Sequence, residues 1–495
     1  DDVMYLVMPD RFADGDPSND DPEVSRGLFD RSNPRAYHGG DFAGIVQHLP
    51  YLKDLGVTAL WLTPVYDNAN QAARGRGAAA ITDYHGYGAV DLYKVDEHFG
   101  TLDEFRALVD GAHAAGIKIV QDQVANHVGP LHPWVKDPPT PTWFHGSADH
   151  HATNTFRIWT LPEAHATVQT RQSTLEGWFA GRLPDLNQDD PEARRYLIQN
   201  TLWWIGRTGI DGIRQDTLPY APRTFWRDWS ATIKQRYPQF DIVGEVFDSD
   251  PSLEAYFQGG RRMDGVDSGI DTLFDFPLYS AIRRVLNGAA RTIELPRLLS
   301  HDYLYRDPNR LIAFAGNHDT ARFLNEANAT VEGLRRVFAF LMTVRGLPLI
   351  YYGDEIGMRG GNDPDNRRDI PRGWKADPRN AFEAAGRTPE EGALFNYVRR
   401  LTGLRARLEP LRHGKLVDLY VENDQYAFAR VSGQSAVLVV FNNAPAESVL
   451  RVPLAGTPIA DGTTLEDQLG GATPARSQGR IAEIRLAGRS AAIYR

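Results

Sequence analysis

Three acidic side chains each follow a short apolar strand in this sequence. Asp216 closes the stretch DGIRQD, Glu245 closes DIVGE, and Asp319 closes GNHD. Arg214 lies two residues before Asp216, and side chains at i and i+2 of a strand share one face, so these two should project together. A neighbouring arginine lowers the pKa of a carboxyl group and favours its ionised form. On this stretch alone an ordinary salt bridge would leave the same trace, so the other two acids decide the interpretation.

Carboxyl groups that converge from several strand ends suit the cleavage of a glycosidic bond. One must be ionised to attack or stabilise the anomeric carbon, and another must be protonated to release the leaving oxygen. Arg214 would keep Asp216 ionised, whereas Glu245 has no basic neighbour in sequence and is the better candidate for the acid with a raised pKa. The sequence therefore predicts catalysis by Asp216, Glu245 and Asp319.

Short apolar strands alternate with amphipathic helices over most of the chain, which predicts an α/β protein built on a closed (β/α)8 TIM barrel. The eight predicted strands are 3–8, 57–62, 117–121, 210–214, 241–244, 273–276, 311–315 and 347–352. Helical patterns between them include FAGIVQHLPYLKDLG and VEGLRRVFAFLMTV. Two connections, 63–99 and 128–185, are too long for plain loops and follow strands two and three at the ends where this architecture builds its sites.

The pattern changes near the end of the chain. Short alternating segments such as QYAFARVS and SAVLVVFNN predict a terminal antiparallel β-sandwich domain. The predicted division is the first part of the barrel at 1–127, an insertion domain at 128–185, the second part of the barrel at 186–410 and the β domain at 411–495. The segment GRGAAA in the loop after strand two is expected to be mobile.

Composition excludes several classes of function. The net charge is -10 and no dense run of Lys and Arg occurs, which argues against a nucleic-acid or anionic-membrane partner. The absence of cysteine excludes disulfides, thiol catalysis and cysteine-bound zinc. The most apolar stretch is interrupted by Arg345, Gly346 and Pro348, so no membrane span is predicted. We expect a periplasmic or secreted protein; the oligomeric state, and whether a leader or an N-terminal domain has been removed, are left open.

Eight motifs in order resemble the α-amylase family of glycoside hydrolases (family 13), and the similarity runs from the first strand to the end. They are GVTALWLTPV, DYHGYGAVDLYKVDEHFG, QDQVANH, LPDLN, DGIRQD, VGEVF, GNHD and GLPLIYYGDEIGM. The resemblance implies that Asp216 is the nucleophile, Glu245 the general acid/base and Asp319 a third acid that clamps substrate hydroxyls and favours the distorted sugar. It also implies a covalent β-glycosyl enzyme and retention of the α configuration.

The same resemblance assigns sugar contacts. Tyr87 of DYHGY should stack beneath the ring at the cleaved bond, and GGNDPDNRR supplies Asp363 and Arg367 for sugars further toward the non-reducing side. A surface ion pair would leave the same trace in that loop. The complete set of predicted substrate-binding residues is Tyr87, His85, Asp122, His127, Arg214, His318, Asp363 and Arg367.

Two departures from the common family pattern point to one branch. Pro219 and Tyr220 stand where many starch-acting members have Lys-His, and Gly316 stands where an aspartate is usual. With PDRFADGDPSNDD and LPDLN, these features resemble the cyclomaltodextrinase and neopullulanase branch, especially its Bacteroidetes-type members. The resemblance implies cleavage of α-1,4 bonds in cyclomaltodextrins, maltooligosaccharides or starch, with some transfer to sugars. A 4-α-glucanotransferase, or a non-catalytic glucan-binding protein on the same fold, is the alternative.

Oxygen-bearing side chains also cluster near the start of the chain. Such a cluster suits calcium, although a solvated acidic turn has the same composition. The spacing resembles the neopullulanase-type calcium site, which adds a glycine carbonyl and implies a structural Ca2+ that ties the loop after strand one to the next loop. The predicted ligands are Asp14, Asp16, Asn19, Asp20, Gly39 and Asp41.

Overall fold

A computed structural model describes residues 1–74 and 80–495 of the chain and contains the predicted barrel. Its strands, numbered β1 to β8, are Met4–Val7, Ala59–Leu62, Lys118–Gln123, Gly212–Gln215, Asp241–Gly244, Thr272–Leu273, Ile312–Ala313 and Leu347–Tyr351. Neighbouring strands pair in parallel, and β1 pairs with β8. A parallel bridge between Phe274 and Ile312 joins β6 to β7 and closes the ring. The predicted fold class is confirmed; the prediction of a mobile GRGAAA segment falls mainly on 75–79, outside the described residues.

The sixth strand is shorter than the sequence pattern predicts. We expected it at 273–276, but it ends at Leu273. The Asp275 carboxylate accepts a hydrogen bond from the Leu278 amide at 2.9 Å and caps the helix Phe276–Leu286. An N-cap of this kind satisfies an otherwise free amide of the first helical turn, so the chain turns into a helix as soon as the cap is available.

One predicted helix is divided in two. The pattern FAGIVQHLPYLKDLG forms Phe42–Gln47 and Leu49–Leu55, because Pro50 has no amide hydrogen and its ring would clash with a carbonyl one turn earlier. The second of these helices ends at Leu55 and is capped by Gly56, whose φ of 87° lies in the left-handed region that favours glycine. The other barrel helices are Leu102–Ala115, Pro191–Thr208, Arg223–Arg236, Pro251–Phe257, Glu294–Leu299, Val331–Thr343 and Pro389–Arg407.

The long connection after β3 has little regular structure of its own. It contains the helix Val168–Leu175 and short 3₁₀ turns at Pro133–Val135 and Ile158–Thr160. An antiparallel bridge between His127 and Asp185 joins the two ends of this connection at its root. The insertion is therefore anchored beside the carboxyl ends of the barrel strands.

The C-terminal part consists of two four-stranded antiparallel sheets. The first contains Lys415–Val421, Gln425–Ser432, Ser435–Asn442 and Ser490–Tyr494, and the second contains Ser448–Pro453, Ile481–Leu486, Ala475–Gln478 and Thr464–Leu465. Side chains on the two faces of the first sheet are buried in different cores. Phe428 packs into the barrel core, whereas Ala427 and Leu438 face the second sheet. The sheet thus belongs to both cores.

Leu411, the predicted start of the β domain, lies in the helix Glu409–His413, and the first strand begins at Lys415. The boundaries at 127, 185 and 410 stay predictions. Among the described residues, no helix combines the length and the apolar character that crossing a membrane requires.

Candidate active site

The three predicted catalytic acids lie at the carboxyl ends of β4, β5 and β7. The amide of Asp216 donates to the Gln123 carbonyl at 2.9 Å, and that of Glu245 donates to the Gln215 carbonyl at 3.1 Å. These two acids are therefore held at the last rung of the parallel sheet. With Asp319 they line one cavity of about 450 Å3. A barrel of this kind places such residues on one face.

Arg214 lies among these acids and is completely buried. Its Nη1 donates to Asp216 Oδ1 at 2.6 Å, as the i, i+2 spacing predicts. Its Nη2 also contacts Glu245 Oε1. Glu245 has no basic neighbour in sequence but has one in the fold, because β4 and β5 are adjacent and Arg214 is in register with Val243, two residues before Glu245.

Glu245 nevertheless has a strongly raised pKa. Burial raises the pKa of Glu245 to about 8; Arg214 opposes the shift, and the charges of Asp216 and Asp319 add to it. The Thr217 amide donates to Glu245 Oε2 at 3.2 Å. A carboxyl group with this pKa keeps its proton at neutral pH and can give it to a leaving oxygen.

Asp319 has the opposite environment. Burial acts to raise its pKa, but His318, Arg367 and Arg214 outweigh this effect and hold the pKa below the ordinary value. Arg367 Nη2 lies 3.2 Å from Asp319 Oδ1, and His318 Nε2 lies 3.2 Å from Oδ2. Asp319 is thus an ionised hydrogen-bond acceptor at the cavity wall, which suits a group that binds sugar hydroxyls.

Aromatic rings form the floor of the cavity. The rings of Tyr87 and His318 stack with their centroids 5.3 Å apart and their planes 2° apart. The Tyr87 hydroxyl lies 2.7 Å from His318 Nε2. His127 also lines the cavity and stacks on Phe179 at 5.3 Å. Flat apolar faces of this kind accept the C–H face of a sugar ring.

Two predicted sugar contacts do not reach the cavity. Asp122 and Arg214 are 0% exposed and do not line it. The Asp122 carboxylate accepts hydrogen bonds from Trp61 Nε1 at 3.1 Å, the Tyr87 hydroxyl at 2.8 Å and Arg214 Nη1 at 2.9 Å. Both oxygens of Asp122 accept hydrogen bonds from residues below the cavity, so Asp122 positions Tyr87 and Arg214. The structure replaces the predicted sugar contact of Asp122 with this positioning role.

The remaining predicted substrate residues line a second, adjoining cavity of about 180 Å3. These residues are His85, Asp363 and Arg367, and Tyr87 belongs to both cavities. Arg367 Nη1 lies 3.1 Å from Asp363 Oδ1, so the ion pair foreseen for this loop exists. Arg367 also contacts Asp319, which joins the two cavities through one side chain.

An apolar wall beside Glu245 was missed by sequence reasoning. Phe156 and Phe179 come from the insertion, and Tyr220 follows β4; their ring centroids lie 5.0 to 5.8 Å apart in edge-to-face contacts. All three line the larger cavity, together with Phe247. The only sequence signal was Tyr220 in the Pro219-Tyr220 departure, because the insertion carries no periodic pattern that would place its phenylalanines.

Family models cover nearly the whole chain. Residues 6–393 match the model described as alpha amylase, catalytic domain. The chain belongs to the α-amylase family of glycoside hydrolases. Residues 417–495 match the model described as neopullulanase-like, C-terminal domain, which confirms the predicted resemblance to that branch of the α-amylase family.

Individual relatives agree with this assignment. A β/α-amylase of Paenibacillus polymyxa is 32% identical over 89% of this chain, which spans only 33% of that relative's length. Neopullulanase 2 of Thermoactinomyces vulgaris is 32% identical, with 97% of this chain and 75% of the relative covered. The crystal structure of an Anoxybacillus α-amylase matches with a TM-score of 0.82 and 33% identity, covering 100% of this chain and 97% of that one.

The predicted calcium residues of this α-amylase-family chain come together near its start. The Oδ1 atoms of Asp14, Asn19 and Asp20 are buried and have no hydrogen-bond partner among the described residues. Gly39 has a φ of 86°, and a Cβ there would collide with the Asp20 carboxylate. Unpartnered oxygens that converge beside a backbone glycine fit an oxygen-liganded cation.

The other two predicted ligands already have partners. Asp41 Oδ2 accepts the Asp16 amide at 2.7 Å, and its Oδ1 caps the next helix by accepting the Gly44 amide at 2.6 Å. Asp16 Oδ1 accepts hydrogen bonds from Ser18. In 1–74 and 80–495, no three His, Cys, Asp or Glu side chains form a metal-binding group by themselves, so Asn19 and the Gly39 carbonyl would be needed.

Proposed function

We propose that this chain is a retaining α-glucan hydrolase of the cyclomaltodextrinase or α-amylase type. It would cleave α-1,4-glucosidic bonds in cyclomaltodextrins, maltooligosaccharides or starch, with some transfer to sugar acceptors. The observation that carries the proposal is one cavity in which Glu245, with a pKa of about 8, lies beside Asp216, which is paired with Arg214. Glycosidic cleavage needs one protonated and one ionised carboxyl group.

In the first step an Asp216 carboxylate oxygen attacks the anomeric carbon. The bond from that carbon to the leaving oxygen breaks, and Glu245 gives its proton to this oxygen, so that a neutral sugar departs. The electrons of the broken bond remain on the leaving oxygen, and the sugar becomes attached to Asp216 through a new ester bond. The Thr217 amide and Arg214 then face the newly ionised Glu245 carboxylate.

In the second step Glu245 acts as a base. It takes a proton from a water molecule, whose oxygen attacks the anomeric carbon and displaces Asp216. Two inversions restore the α configuration. Asp319 would accept hydrogen bonds from the sugar hydroxyls, while the Tyr87 and His318 rings support the sugar from below.

A glucanotransferase follows the same first step but uses a sugar hydroxyl in the second. The rings of Phe156, Phe179 and Tyr220 favour some transfer, because an apolar wall beside Glu245 binds a sugar face and displaces water. A non-catalytic binding protein is disfavoured, since Asp216, Glu245 and Asp319 converge on one cavity with Arg214 paired to Asp216, an arrangement that bond cleavage needs and sugar binding alone does not.

We also propose a structural Ca2+ in the loop after β1. The unpartnered oxygens of Asp14, Asn19 and Asp20, with the Gly39 carbonyl, would hold it. Asp41 would support the loop through amide hydrogen bonds. The ion would neutralise the crowded carboxylates and fix the loop, without contact to the reacting atoms.

A time course of products from β-cyclomaltodextrin and soluble starch, analysed by chromatography, tests the proposed function. We expect both glucans to be cleaved, with maltose and glucose as final products. NMR of the first products should show the α anomer. Faster opening of the ring would assign the chain to the cyclomaltodextrinase type, and rapid starch cleavage with an intact ring would assign it to the α-amylase type. Initial release of the β anomer, or no cleavage of either glucan, would contradict the proposal.

A further inference from the structure

One turn of the insertion, residues 178–183, contributes to both cavities. Phe179 and Leu183 line the larger cavity beside the catalytic acids. Arg182 lines the smaller cavity together with His85 and Arg367. The same short segment therefore presents side chains on both sides of the position where the sugar bond would be cleaved.

The backbone of this turn is held in place. The amides of Phe179 and Leu183 donate to each other's carbonyls at 3.1 and 3.0 Å. Ala180 and Gly181 have φ values of 51° and 67°, in the left-handed region that favours glycine. His151 Nε2 lies 3.3 Å from the Gly181 carbonyl. Left-handed geometry at a non-glycine residue persists only where its surroundings enforce it, so Arg182 is presented from a fixed base.

The guanidinium of Arg182 lines the smaller cavity and differs in its pairing from the other two arginines there. Among the described residues it makes no hydrogen bond and no ion pair, whereas Arg35 and Arg367 of the same cavity both pair with Asp363. Arg182 is partly exposed, yet close enough to lower the pKa of the buried Asp83 below the value that burial alone would give. A guanidinium offers five N–H donors in a fixed plane, so these donors face the cavity unused.

We propose that Arg182 is a specificity-determining residue that donates hydrogen bonds to hydroxyl groups of the glucosyl unit bound in the smaller cavity. This inference rests on the proposed function and on the family resemblance that assigns Asp363 and Arg367 of the same cavity to sugars on the non-reducing side of the cleaved bond. Arg182 then makes the enzyme prefer substrates with at least two glucosyl units on that side. A single glucosyl unit would leave the smaller cavity empty and gain nothing from Arg182.

The test compares release of 4-nitrophenol from its α-glucoside and α-maltoside by wild type, Arg182→Met and Arg182→Lys. Hydrogen bonds from a charged donor are strong, so we expect Arg182→Met to lose tenfold to a hundredfold in kcat/KM on the maltoside and less than twofold on the glucoside. Arg182→Lys should recover part of the loss. Lys136→Met, which removes an exposed positive charge from the same insertion, serves as the control and should change neither rate.

Equal losses on both substrates with a lower melting temperature would assign Arg182 to a structural role beside Asp83 and overturn the inference. So would an unchanged preference for the maltoside. Wild type that cleaves neither β-cyclomaltodextrin nor starch would contradict the proposed function instead, whereas wild type that cleaves a glucan but releases nitrophenol from neither compound would leave the role of Arg182 to a binding measurement. Calorimetric titration with maltose then still decides the role of Arg182: a tenfold weaker Kd for Arg182→Met supports it, and equal Kd values contradict it.

Discussion

Two groups of carboxylates in this molecule resolve the repulsion between like charges in different ways. At the strand ends, Arg214 and Arg367 lie among the catalytic acids and pair with them. In the loop after β1, no Lys or Arg of the described residues forms an ion pair with Asp14 or Asp20. Burial first, and then the neighbouring carboxylates, raises the pKa of Asp14 to about 6 and that of Asp20 to about 7.

This difference implies that the acids at the strand ends serve catalysis and that the carboxylates in the loop after β1 serve stability. The pKa values of Glu245 and Asp319 are set by burial and by side chains of the chain itself, so they should not depend on an added ion. In the loop, Asp14 and Asp20 have buried oxygens and no ion pair among the described residues, so the proposed cation would relieve their charge. Changes in the first group should act mainly on turnover, and changes in the second mainly on unfolding.

The largest effect should follow Asp216→Asn. The amide retains the size of the side chain but cannot attack the anomeric carbon, so we expect kcat on maltooligosaccharides to fall at least about ten-thousandfold. The melting temperature, with and without calcium, should show that the fold and the ion site are intact. A rate near that of wild type would contradict both the nucleophile and the comparison above.

Glu245→Gln should have the next largest effect, and its size should depend on the leaving group. Without the acid, kcat on maltooligosaccharides should fall about 100- to 10,000-fold. An α-glucosyl fluoride needs little protonation to leave, so formation of the covalent intermediate from it should be much less affected. In wild type, activity should decline as pH rises through about 8, where Glu245 loses its proton, and this alkaline limb should disappear in the variant. The same alkaline limb in Glu245→Gln would argue against this acid.

The sequence predicted the barrel and the identity of the acids because both follow short-range rules. Strand and helix periods recur eight times, and Asp216, Glu245 and Asp319 each stand directly after a strand or shortly beyond one. The family resemblance then named their roles. Parallel strand ends meet at one edge whatever the loops do, so the convergence of these acids did not depend on details of packing.

The rest depended on contacts between distant segments. No local pattern shows that Arg214 reaches Glu245 as well as Asp216, or that Asp122 is covered by Trp61 and Tyr87. The insertion has few regular elements, so the places of its aromatic and basic side chains could not be derived. The division into segments and the periplasmic or secreted location stay predictions.

Calcium removal tests the other half of the comparison. Chelation should lower the melting temperature by several degrees, because an ion present at 100 times its Kd stabilises the folded state by about 2.7 kcal/mol. Asp20→Asn should lose this calcium dependence, since it removes a buried unpartnered oxygen anion. The control Asp21→Asn changes the adjacent exposed carboxylate, which accepts only the Gly27 amide among the described residues, and should behave as wild type.

Turnover measured below the melting temperature should change little after chelation if the ion is purely structural. If the melting temperature did not change and elemental analysis found no calcium in the protein, the proposal of a structural Ca2+ would be wrong. A large loss of kcat at constant stability would instead show that the two groups of carboxylates are coupled.

The smallest and most specific effect is expected from Asp122→Asn. Asp122 shares the Arg214 guanidinium with Asp216 and Glu245, so its anion takes up part of the positive charge. When that anion is removed, Arg214 should act more strongly on Glu245 and lower the pKa of its carboxyl group. Activity requires protonated Glu245, so the decline of kcat/KM on the alkaline side should move to lower pH.

A buried aspartate elsewhere makes the matched control. Asp275 pairs with the buried Arg345 in the same manner but lies outside the catalytic cavity, so Asp275→Asn should change stability and leave the pH profile in place. A profile that shifts equally in both variants would indicate a general effect of losing a buried charge. A shift to higher pH in Asp122→Asn would mean that Arg214 moves away from Glu245 once Asp122 no longer holds it, and that Asp122 positions the arginine more than it neutralises it.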